Sequence, residues 1–569
     1  MTRRGGRRNQ RKKKQQLEVT RSSLPPECQV ASEAVRMLEV AESETASAAA
    51  LYGAARYFRK ALSVSAVASV GALFQESAEG KGGDRPLCRR LTVALVRMMR
   101  RSDLPELQMD ATWALTNIAS GLQRDTHLLV SCGAVPILMQ LVLQFENGMG
   151  PADSVGEQLR NQAIWALSNV AGDCYSCKAR LVRSGISPLF RSLVRVLERQ
   201  LAFSQADPLC WANEAFARNS SQQRVGSLST AVWAMTNLLR GPPRIGADHK
   251  TLAIPSLAAI LRQLQPAAAL GGRHERFLLA DCCWVLAQLC DNNHEQIQLV
   301  ITSGVCGQLL DYMEEEEKEG DGGAGQRLVS AALRTVGNIV TGNDGQTNYI
   351  LGKGALGKLL HLVKNHRRVG IRKEAVWAIS NVLAGTPDQI HFAFDNHPTL
   401  VDTLTALLCN DEKNVSRESA WALSNAATGA DEAGKMTLLR HHPTLPALLA
   451  ALKRHHFDED GTGPCAALQL RHNHWNDALA QNILSAIKML LETAQRTSVA
   501  QPYCLQLDDH GGWGLISQLA RDCGEGASRL QAEELLRFRS DNDPAETKPE
   551  PKQVYYIVRR QAPACEALI

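Results

Sequence analysis

The chain has 569 residues, of which 44% are hydrophobic and 5% aromatic, with a formal net charge of +5 at pH 7. A single hydrophobic core stops growing near about 250–300 residues, so this length excludes one ordinary globular domain. No run approaches the roughly 18 apolar residues of a membrane helix, the Arg-rich start lacks a signal-peptide apolar region, and the 15 cysteines have no framework spacing. We therefore expect a soluble, non-secreted intracellular protein with reduced thiols and no membrane partner.

The first 21 residues are a basic tail. They carry one acid, Glu18, and nine cations: Arg3, Arg4, Arg7, Arg8, Arg11, Lys12, Lys13, Lys14 and Arg21. The tail therefore has a net charge of +8, and the remaining 548 residues sum to −3. Low apolar content predicts that residues 1–21 are disordered when unbound, and residues 22–50 are expected to form a linker and a first helix.

From residue 51 onward, helix-period apolar runs alternate with Gly or Pro turns, and one motif recurs. Trp113-Ala-Leu-Thr-Asn117 comes back in copies that begin at Trp165, Trp233, Trp377 and Trp421, with half-copies at Trp284 and Arg334. We call these seven positions the Trp slots, and the Trp and Asn rows together the ladder. Successive Trp slots lie 43 to 68 residues apart. Armadillo and HEAT repeats run about 40–47 residues, and the surplus falls in polar or Gly-rich inserts at 147–156, 205–226, 266–275 and 314–326.

This periodicity predicts an all-α protein, an armadillo-repeat right-handed superhelical solenoid of about ten three-helix repeats with degenerate first and last repeats. We expect the solenoid over residues 51–538 and a flexible tail over 539–569. After a long insert at 455–475, the helix near 482–489 has Ser485 and Met489 at the ladder positions, so it is expected to cap the stack. Residues 513–538 are expected to add one more helix pair.

The ladder predicts a binding surface for a cationic peptide. Residues four apart share one helix face, and helices about 8–10 Å apart would place neighbouring indoles as walls for a Lys or Arg stem. Asn can donate to and accept from an extended backbone, and nearby acids would pair with the ligand's cations. Such acids are Asp173, Asp281, Asp291 and Glu418. The alternative is core Trp and turn-capping Asn; recurrence favours peptide binding, because mid-helix Asn has low propensity and no evident packing reason to recur.

The Trp–Asn ladder, with Gly172-Asp173 and Gly337-Asn-Ile-Val-Thr-Gly342, resembles importin-α, the family of nuclear import adaptors, over roughly residues 51–495. The resemblance implies a major groove for nuclear localisation signals, formed by Trp113, Asn117, Gly121, Thr126, Trp165, Asn169, Asp173, Trp233 and Asn237. Gly121, Thr126 and Asp173 match its lysine pocket. It implies a minor groove formed by Arg334, Asn338, Thr347, Trp377, Asn381, Glu418, Trp421 and Asn425. Asp281, Trp284 and Asp291 lie centrally, where Gln288 departs from the family's Tyr.

The basic tail is similar to the C-terminal half of the family's importin-β-binding segment, and no upstream half is present in this sequence. The resemblance implies that importin-β binds Arg7, Arg8, Arg11, Lys12, Lys13, Lys14 and Arg21. We expect Lys12–Lys14 to occupy the chain's own groove when importin-β is absent, because a tethered tail has a high effective concentration. The family also implies an export receptor at the C-terminal repeats and shuttling between cytoplasm and nucleus.

Other function classes receive less support from the sequence. No paired carboxylates or nucleophile–base arrangement indicates an enzyme or a cofactor, and Cys174-Tyr-Ser-Cys177 has no second ligand pair in sequence, so no metal site is predicted. An armadillo scaffold for other proteins would prefer a Lys/Arg groove and acidic ligands. An RNA-binding helical repeat would need a basic concave face, whereas this body is net acidic, so no specific nucleic acid is expected.

Overall fold

A computed structural model describes the backbone of residues 27–63, 70–74, 86–144, 154–206, 217–246, 251–264, 273–315, 323–441, 443–456, 474–522 and 527–541. The basic tail at residues 1–21 and most of the predicted tail at 539–569 lie outside the described residues. The expectations placed on those two segments therefore stay predictions.

Every regular element of the described part is a helix, as predicted. The 28 helices are α1 Glu27–Glu42, α2 Ala48–Ser63, α3 Val70–Phe74, α4 Pro86–Met98, α5 Pro105–Ser120, α6 Gln123–Ser131, α7 Ala134–Gln144, α8 Ser154–Asp173, α9 Tyr175–Arg183, α10 Ile186–Ala206, α11 Ala217–Leu239, α12 Ala253–Gln263, α13 Arg273–Cys290, α14 His294–Thr302, α15 Cys306–Tyr312, α16 Ala324–Val340, α17 Asp344–Gly352, α18 Ala355–Asn365, α19 Val369–Val382, α20 Pro387–Asn396, α21 Leu400–Asn410, α22 Lys413–Gly429, α23 Glu432–Arg440, α24 Thr444–His456, α25 His474–Arg496, α26 Ala500–Asp509, α27 Gly512–Asp522 and α28 Ala527–Asp541. The Trp slots lie on α5, α8, α11, α13, α16, α19 and α22.

The chain divides into two compact units. The first comprises Met1–Asp291, Gln298–Gln308 and Glu315–Ala331. In its described part α2, α5, α8, α11 and α13 pack each against the next. Their inward faces are apolar, since Leu115, Leu167 and Met235 are each at most 1% exposed. Each repeat thus buries its core against its neighbour, which is how a solenoid is stabilised.

The second unit comprises Asn292–Ile297, Leu309–Glu314 and Ala332–Ile569. Here α19, α22, α25 and α28 pack in sequence. Ile379, Leu423 and Ile487 on successive helices are fully buried. The stack therefore continues through helices without a Trp–Asn pair, and the helix pair expected near residues 513–538 is present as α27 and α28.

The repeat turns lie where the sequence placed them. Gly133, Gly185, Gly304 and Gly354 all have positive φ, between 79° and 115°, and each lies between the two helices that follow a ladder helix. Glycine adopts this left-handed backbone without the steric cost a side chain would bring. The Gly352–Lys358 stretch that superficially resembles a phosphate loop is one of these turns.

The inserts are shorter than predicted, because the ladder helices begin inside them. α11 starts at Ala217, within the insert expected at 205–226, and α8, α13 and α16 also start before the predicted insert ends. In α11 the added residues include Ala217, two Gln and two Arg, which have high helix propensity and favour continuation of the helix.

Within the described ranges, no single helix is long and apolar enough to cross a membrane, and one sharply bent pair, Gln123–Ser131 with Ala134–Gln144, reaches that length and composition jointly.

Candidate functional site

The ladder helices turn their Trp side chains away from the packed face. Ala114 and Leu115, which follow the first slot, are fully buried, as predicted for the opposite side. The indoles of Trp113, Trp165, Trp284, Trp377 and Trp421 are partly exposed. Each of these five side chains therefore keeps part of its surface accessible to solvent.

Trp233 differs from the other ladder tryptophans. It is only 2% exposed, and its ring lies edge-on to that of Trp165, with centroids 6.3 Å apart and planes at 70°. The edge of one indole is attracted to the face of the other, and the contact buries apolar surface on both. The expectation of an open slot between these two indoles is therefore wrong for this conformation.

The ladder asparagines connect successive repeats. Asn169 Nδ2 donates to the Thr116 carbonyl at 3.3 Å, and Asn237 Nδ2 to the Ser168 carbonyl at 3.2 Å. Asn425 Nδ2 donates to the Ser380 carbonyl at 3.1 Å. Each acceptor directly precedes the Asn of the repeat before. The sequence argument that these asparagines have no packing reason to recur is therefore wrong.

Several ladder atoms retain hydrogen-bonding capacity. In the described part of the chain, Oδ1 of Asn117, Oδ1 of Asn169, Nδ2 of Asn381 and Nε1 of Trp113 are buried and have no hydrogen-bond partner. Buried polar atoms are nearly always paired, so each such atom requires an explanation. A peptide backbone could pair with the amides once their side chains turn outward.

An arginine already lies on the first ladder indole. Arg59 Cζ is 4.7 Å from the centroid of the Trp113 ring, and its Nη1 is 2.7 Å from Oδ1 of Asp110. Asp110 lies three residues before Trp113 and is 4% exposed. Ser63, four residues after Arg59, accepts a 2.9 Å hydrogen bond from Asn117 Nδ2. Arg59 and Ser63 thus occupy the Trp and Asn positions of the first repeat.

The same arrangement recurs in the second unit. Arg334 Cζ is 4.9 Å from the centroid of the Trp377 ring, and its Nη2 is 2.8 Å from Oε2 of Glu374. Glu374 lies three residues before Trp377, as Asp110 does before Trp113. In both cases a guanidinium is held between an indole face and a carboxylate.

Four of the Trp slots have an acid three residues before the Trp, and the sequence interpretation recognised two of these acids. The four acids are Asp110, Asp281, Glu374 and Glu418, of which the sequence analysis named Asp281 and Glu418. The spacing is present in the sequence, but it was not recognised there as a recurring pattern, so Asp110 and Glu374 were not predicted. Arg59 was missed because its repeat contains no Trp.

These acids already have cationic neighbours. Asp281 pairs with Arg327, and Lys373 Nζ lies 3.8 Å from Oε1 of Glu418. Burial raises the pKa of Glu374, opposed by the charges of Arg334 and Lys373. Burial also raises the pKa of Glu418, opposed by Lys373 and Arg417. Both glutamates would gain from a further cation.

The remaining central positions are less regular. Gln288 Nε2 donates at 3.3 Å to the carbonyl of Trp284 in its own helix. It therefore does not reach the preceding repeat as the ladder asparagines do. Asp291, at the end of α13, is exposed.

Two threonines of the implied grooves form hydrogen bonds that link the helix after a ladder helix to that ladder helix. Thr126 Oγ1 donates to the Ala119 carbonyl at 3.3 Å, and Thr347 Oγ1 to the Val340 carbonyl at 2.9 Å. Both hydroxyls reach back seven residues, which fixes the turn between the helices. Gly121 lies in the first of these turns, as the C-cap of α5. Asn338, on the helix that precedes Thr347, is 7% exposed.

Asp173 closes α8 beside a group of sulfur and nitrogen atoms. Its carboxylate is almost fully buried, and Oδ2 lies 3.7 Å from Cys177 Sγ and 4.0 Å from His127 Nε2. Burial opposes ionisation of Cys174, yet hydrogen bonds from Ser176, the Cys177 amide and His127 lower its pKa to about 6. Burial raises the pKa of Cys177. The implied lysine pocket thus contains two thiols and an imidazole as well as an acid.

Comparison with known proteins agrees with this architecture. Residues 343–384 match the Armadillo/beta-catenin-like repeat. The chain is 31% identical over 296 residues to importin subunit alpha-1a of Oryza sativa subsp. japonica, covering 52% of this chain and 46% of that protein. It is 35% identical over 283 residues to importin subunit alpha-3 of Arabidopsis thaliana, covering 50% and 43%. The match thus spans less than half of the length of these relatives.

A longer match has lower identity. Importin subunit alpha-8 of Arabidopsis thaliana is 27% identical over 425 residues, which cover 75% of this chain and 79% of that protein. Among solved structures, the crystal structure of an engineered protein superposes with a TM-score of 0.58 at 17% identity, covering 89% of this chain and 98% of its own. That likeness concerns the fold alone. The described part of the chain is therefore all-helical with an armadillo-type fold, residues 343–384 match the Armadillo/beta-catenin-like repeat, and the sequence relatives include importin α subunits.

Proposed function

We propose that this protein is a nuclear import adaptor, without enzymatic activity, that binds Lys/Arg-rich nuclear localisation signals along its ladder. Its basic tail at residues 1–21 would connect the loaded adaptor to importin-β, and the protein would shuttle between cytoplasm and nucleus. An export receptor would bind the C-terminal repeats. The observation that carries the proposal is the guanidinium held between Trp and acid at two ladder positions.

The two internal arginines illustrate the contact that a cargo peptide would make. Arg59 on Trp113 and Arg334 on Trp377 each combine a cation–π contact with an ion pair to an acid three residues earlier. A cation–π contact contributes about 0.5–1 kcal/mol at exposed sites and about 2 kcal/mol when desolvated. Trp165 and Trp421 are partly exposed, so they would receive side chains of the cargo.

The buried atoms without partners support backbone binding. Asn117 and Asn169 each offer an acceptor, and Asn381 a donor, in the described ladder. An extended peptide presents alternating donors and acceptors along its backbone, so a peptide in each groove could satisfy the atoms of that groove without a sequence requirement. Because these atoms are buried, binding would include a rotation of the amide groups.

Two stretches of the ladder would serve as grooves. In the first unit the proposed contacts are those of Trp113, Asn117, Trp165 and Asn169, with Asp173 receiving a lysine ammonium. In the second unit they are Trp377, Asn381, Trp421 and Asn425, with Glu374 and Glu418 as acids. Trp233 would have to leave its edge-on contact with Trp165 before a side chain could enter between them.

The proposal is tested by fluorescence anisotropy of a labelled Lys-rich peptide against wild type, Trp165→Ala and Asn169→Ala. Each substitution should weaken binding by about 1–3 kcal/mol if these residues are central anchors. Asn414→Ala, at an exposed asparagine of α22 outside the ladder, is the matched control and should bind as wild type does. Circular dichroism melts confirm that each variant is folded.

Competition discriminates the rival functions. An unlabelled Lys-rich peptide should displace the probe, whereas an acidic peptide and a single-stranded RNA should not. Displacement by the acidic peptide would favour a scaffold of another kind, and displacement by RNA a nucleic-acid-binding repeat. Either result would contradict the adaptor proposal.

The tail is tested separately. Deleting residues 1–21 should abolish binding to importin-β and tighten binding of the Lys-rich peptide, because the competing intramolecular segment is removed. Replacing Lys12, Lys13 and Lys14 with Ala should reproduce the tighter peptide binding. Unchanged peptide affinity in both variants would exclude autoinhibition.

A further inference from the structure

Four metal-ligating side chains meet beside the Asp173 carboxylate. His127 lies on α6, Asp173 ends α8, Cys174 is the N-cap of α9 and Cys177 lies in the first turn of α9. One ligand atom from each side chain lies within 4.8 Å of every other. We call these four residues the His127 cluster. No metal site was predicted from the sequence because Cys174 and Cys177 lack a second ligand pair in sequence, whereas the fold supplies that pair from α6 and α8.

The distances in the His127 cluster suit a tetrahedral ion. His127 Nε2 is 3.1 Å from Cys174 Sγ, Cys177 Sγ is 3.7 Å from Asp173 Oδ2, and His127 Nε2 is 4.0 Å from the same oxygen. Zinc bonds of about 2.3 Å to sulfur and about 2.0–2.2 Å to nitrogen and oxygen imply edges of roughly 3.3–3.8 Å between ligand atoms. Only small side-chain rotations would bring the four atoms to these separations.

The donor set and its surroundings indicate which ion would bind. Two thiolates, an imidazole and a carboxylate favour Zn²⁺ over the hard cations Mg²⁺ and Ca²⁺. Cys174 caps α9 and accepts from the Cys177 amide at 3.4 Å, so the helix N-terminus would stabilise its thiolate. The side chains of Asp173 and Cys177 are almost fully buried, whereas Cys174 is half-buried and the His127 side chain is 47% exposed. Two ligands are therefore held inside the fold, and the other two border solvent and provide an entry route.

From this geometry we propose that His127, Asp173, Cys174 and Cys177 form a Zn²⁺-binding site. On binding, the two thiols lose their protons to solvent, and the site with its ion has a net charge of −1. No oxidation or reduction is involved. The alternative is that these four residues form a hydrogen-bonded cluster that stabilises the α8–α9 junction without metal. The cobalt titration distinguishes this alternative from a metal site.

The site would also couple metal to peptide binding, a consequence that rests on the proposed function. Asp173 is the acid expected to receive a lysine ammonium, and it cannot coordinate zinc and pair with that ammonium through the same oxygen. Zinc should therefore weaken binding of a Lys-rich peptide, and the peptide should weaken binding of zinc to the same degree, because linkage is reciprocal.

Co²⁺ is the direct probe of the site. The full chain, reduced and freed of metal with a chelator, is titrated with Co²⁺ while visible absorption is recorded. One equivalent should produce the intense d–d bands and thiolate charge transfer of a tetrahedral site, and Zn²⁺ should abolish them. Cys174→Ser and His127→Asn should each weaken Co²⁺ binding by about tenfold or more, since each removes one of four ligands.

Matched controls keep the result specific. Cys132→Ser alters a half-buried thiol outside the cluster, and His510→Asn an exposed imidazole far along the chain; both should bind Co²⁺ as wild type does. No tetrahedral spectrum in wild type would overturn the proposal, as would an unchanged spectrum in Cys174→Ser and His127→Asn. His127 is exposed, so His127→Asn should fold even if a cysteine variant does not.

The coupling is measured independently of the cobalt titration. Saturating Zn²⁺ should raise the dissociation constant of the Lys-rich peptide about tenfold or more in wild type and leave it unchanged in His127→Asn. An equal zinc effect in both proteins would overturn the coupling. If the chain bound no Lys-rich peptide at all, the adaptor proposal would fail while the cobalt spectra would still decide the metal site.

Discussion

The indole of Trp377 lies directly against Gly337 on α16, the preceding ladder helix. A β-carbon at residue 337 would come within 2.5 Å of Cζ3 of that ring, closer than non-bonded carbons approach. Gly337 directly precedes Asn338, so the ladder indole of one repeat rests on the backbone of the repeat before. This contact holds Trp377 beneath the guanidinium of Arg334.

Gly337→Ala should therefore displace the Trp377 ring and weaken the proposed minor groove. Overpacking of this kind costs about 1–3 kcal/mol, and the displaced ring loses both Arg334 and any peptide side chain. Binding of a Lys-rich peptide, measured by anisotropy, and tryptophan emission should both change. Gly352→Ala, at a helical glycine with open space around it, should alter neither. Wild-type affinity in Gly337→Ala would contradict this role of the contact.

Peptide binding to the second unit should depend on pH through two buried glutamates. Burial raises the pKa of Glu374 and of Glu418, so both begin to protonate at a higher pH than an ordinary glutamate. A cation is attracted only to the ionised carboxylate. The affinity for the peptide should therefore be highest at pH values above the raised pKa values of the two glutamates and fall as the pH is lowered through them. Anisotropy titrations from neutral to mildly acidic pH measure the slope.

Replacing Glu374 and Glu418 together by Gln should flatten that profile and lower the affinity at neutral pH. Glu295→Gln, at an exposed glutamate, should keep the wild-type slope. The same pH dependence in the double variant and wild type would assign the effect to other groups.

Arg59 should stabilise the first repeat through Asp110. Removing a partner from a buried ion pair leaves an uncompensated charge, so Arg59→Ala should lower the free energy of unfolding by about 3 kcal/mol. Arg56, which is 3.5 Å from the same carboxylate but 56% exposed, is the matched control, and Arg56→Ala should cost less than about 1 kcal/mol. Chemical denaturation of the full chain measures both.

A double-mutant cycle identifies the origin of that loss. With Asp110→Asn in the background, Arg59→Ala should cost much less, because the buried charge is no longer present. Equal costs in both backgrounds would mean that Arg59 acts through its contact with Trp113 alone.

Asn237 should contribute to stability as well as to binding. Its Nδ2 lies 3.2 Å from the Ser168 carbonyl and 3.1 Å from Ser168 Oγ, and the amide is 3% exposed. Leaving buried acceptors unsatisfied costs about 1–3 kcal/mol, so Asn237→Ala should reduce stability by that amount while Asn414→Ala has little effect. A thermal melt of Asn237→Ala equal to that of wild type would refute the connecting role of the amide.

The fold was predictable from the sequence because a recurrent Trp–Asn pair reports the repeat length directly. The helix class, the glycine turns at Gly133 and Gly354 and the final helix pair all followed from that periodicity. The helix starts inside the inserts did not, since the Trp–Asn motif does not extend to them and only residues of high helix propensity, such as Ala217, mark them.

The site was predictable in its residue types and not in its orientation. Spacing placed Trp165 and Trp233 in one row, but the angle between two rings depends on how closely their helices pack. Asn169 was assigned to a ligand because its acceptor, the Thr116 carbonyl, lies 53 residues away in sequence. Arg59 and His127 were overlooked because neither lies in a copy of the Trp–Asn motif. Each acquires its role from residues distant in sequence, Arg59 from Asp110 and Trp113 and His127 from Asp173 and Cys174.

The Asn amide that bonds one repeat to the repeat before it would, in the proposed function, also set the spacing at which a bound peptide is contacted. Duplicating one repeat would therefore add one further set of peptide contacts. The new Asn amide would bond to a carbonyl of an existing repeat, and the contacts of the other repeats would be unchanged. A binding surface of this kind can evolve by duplication of repeats rather than by change of individual contacts, and a longer peptide would require only additional repeats.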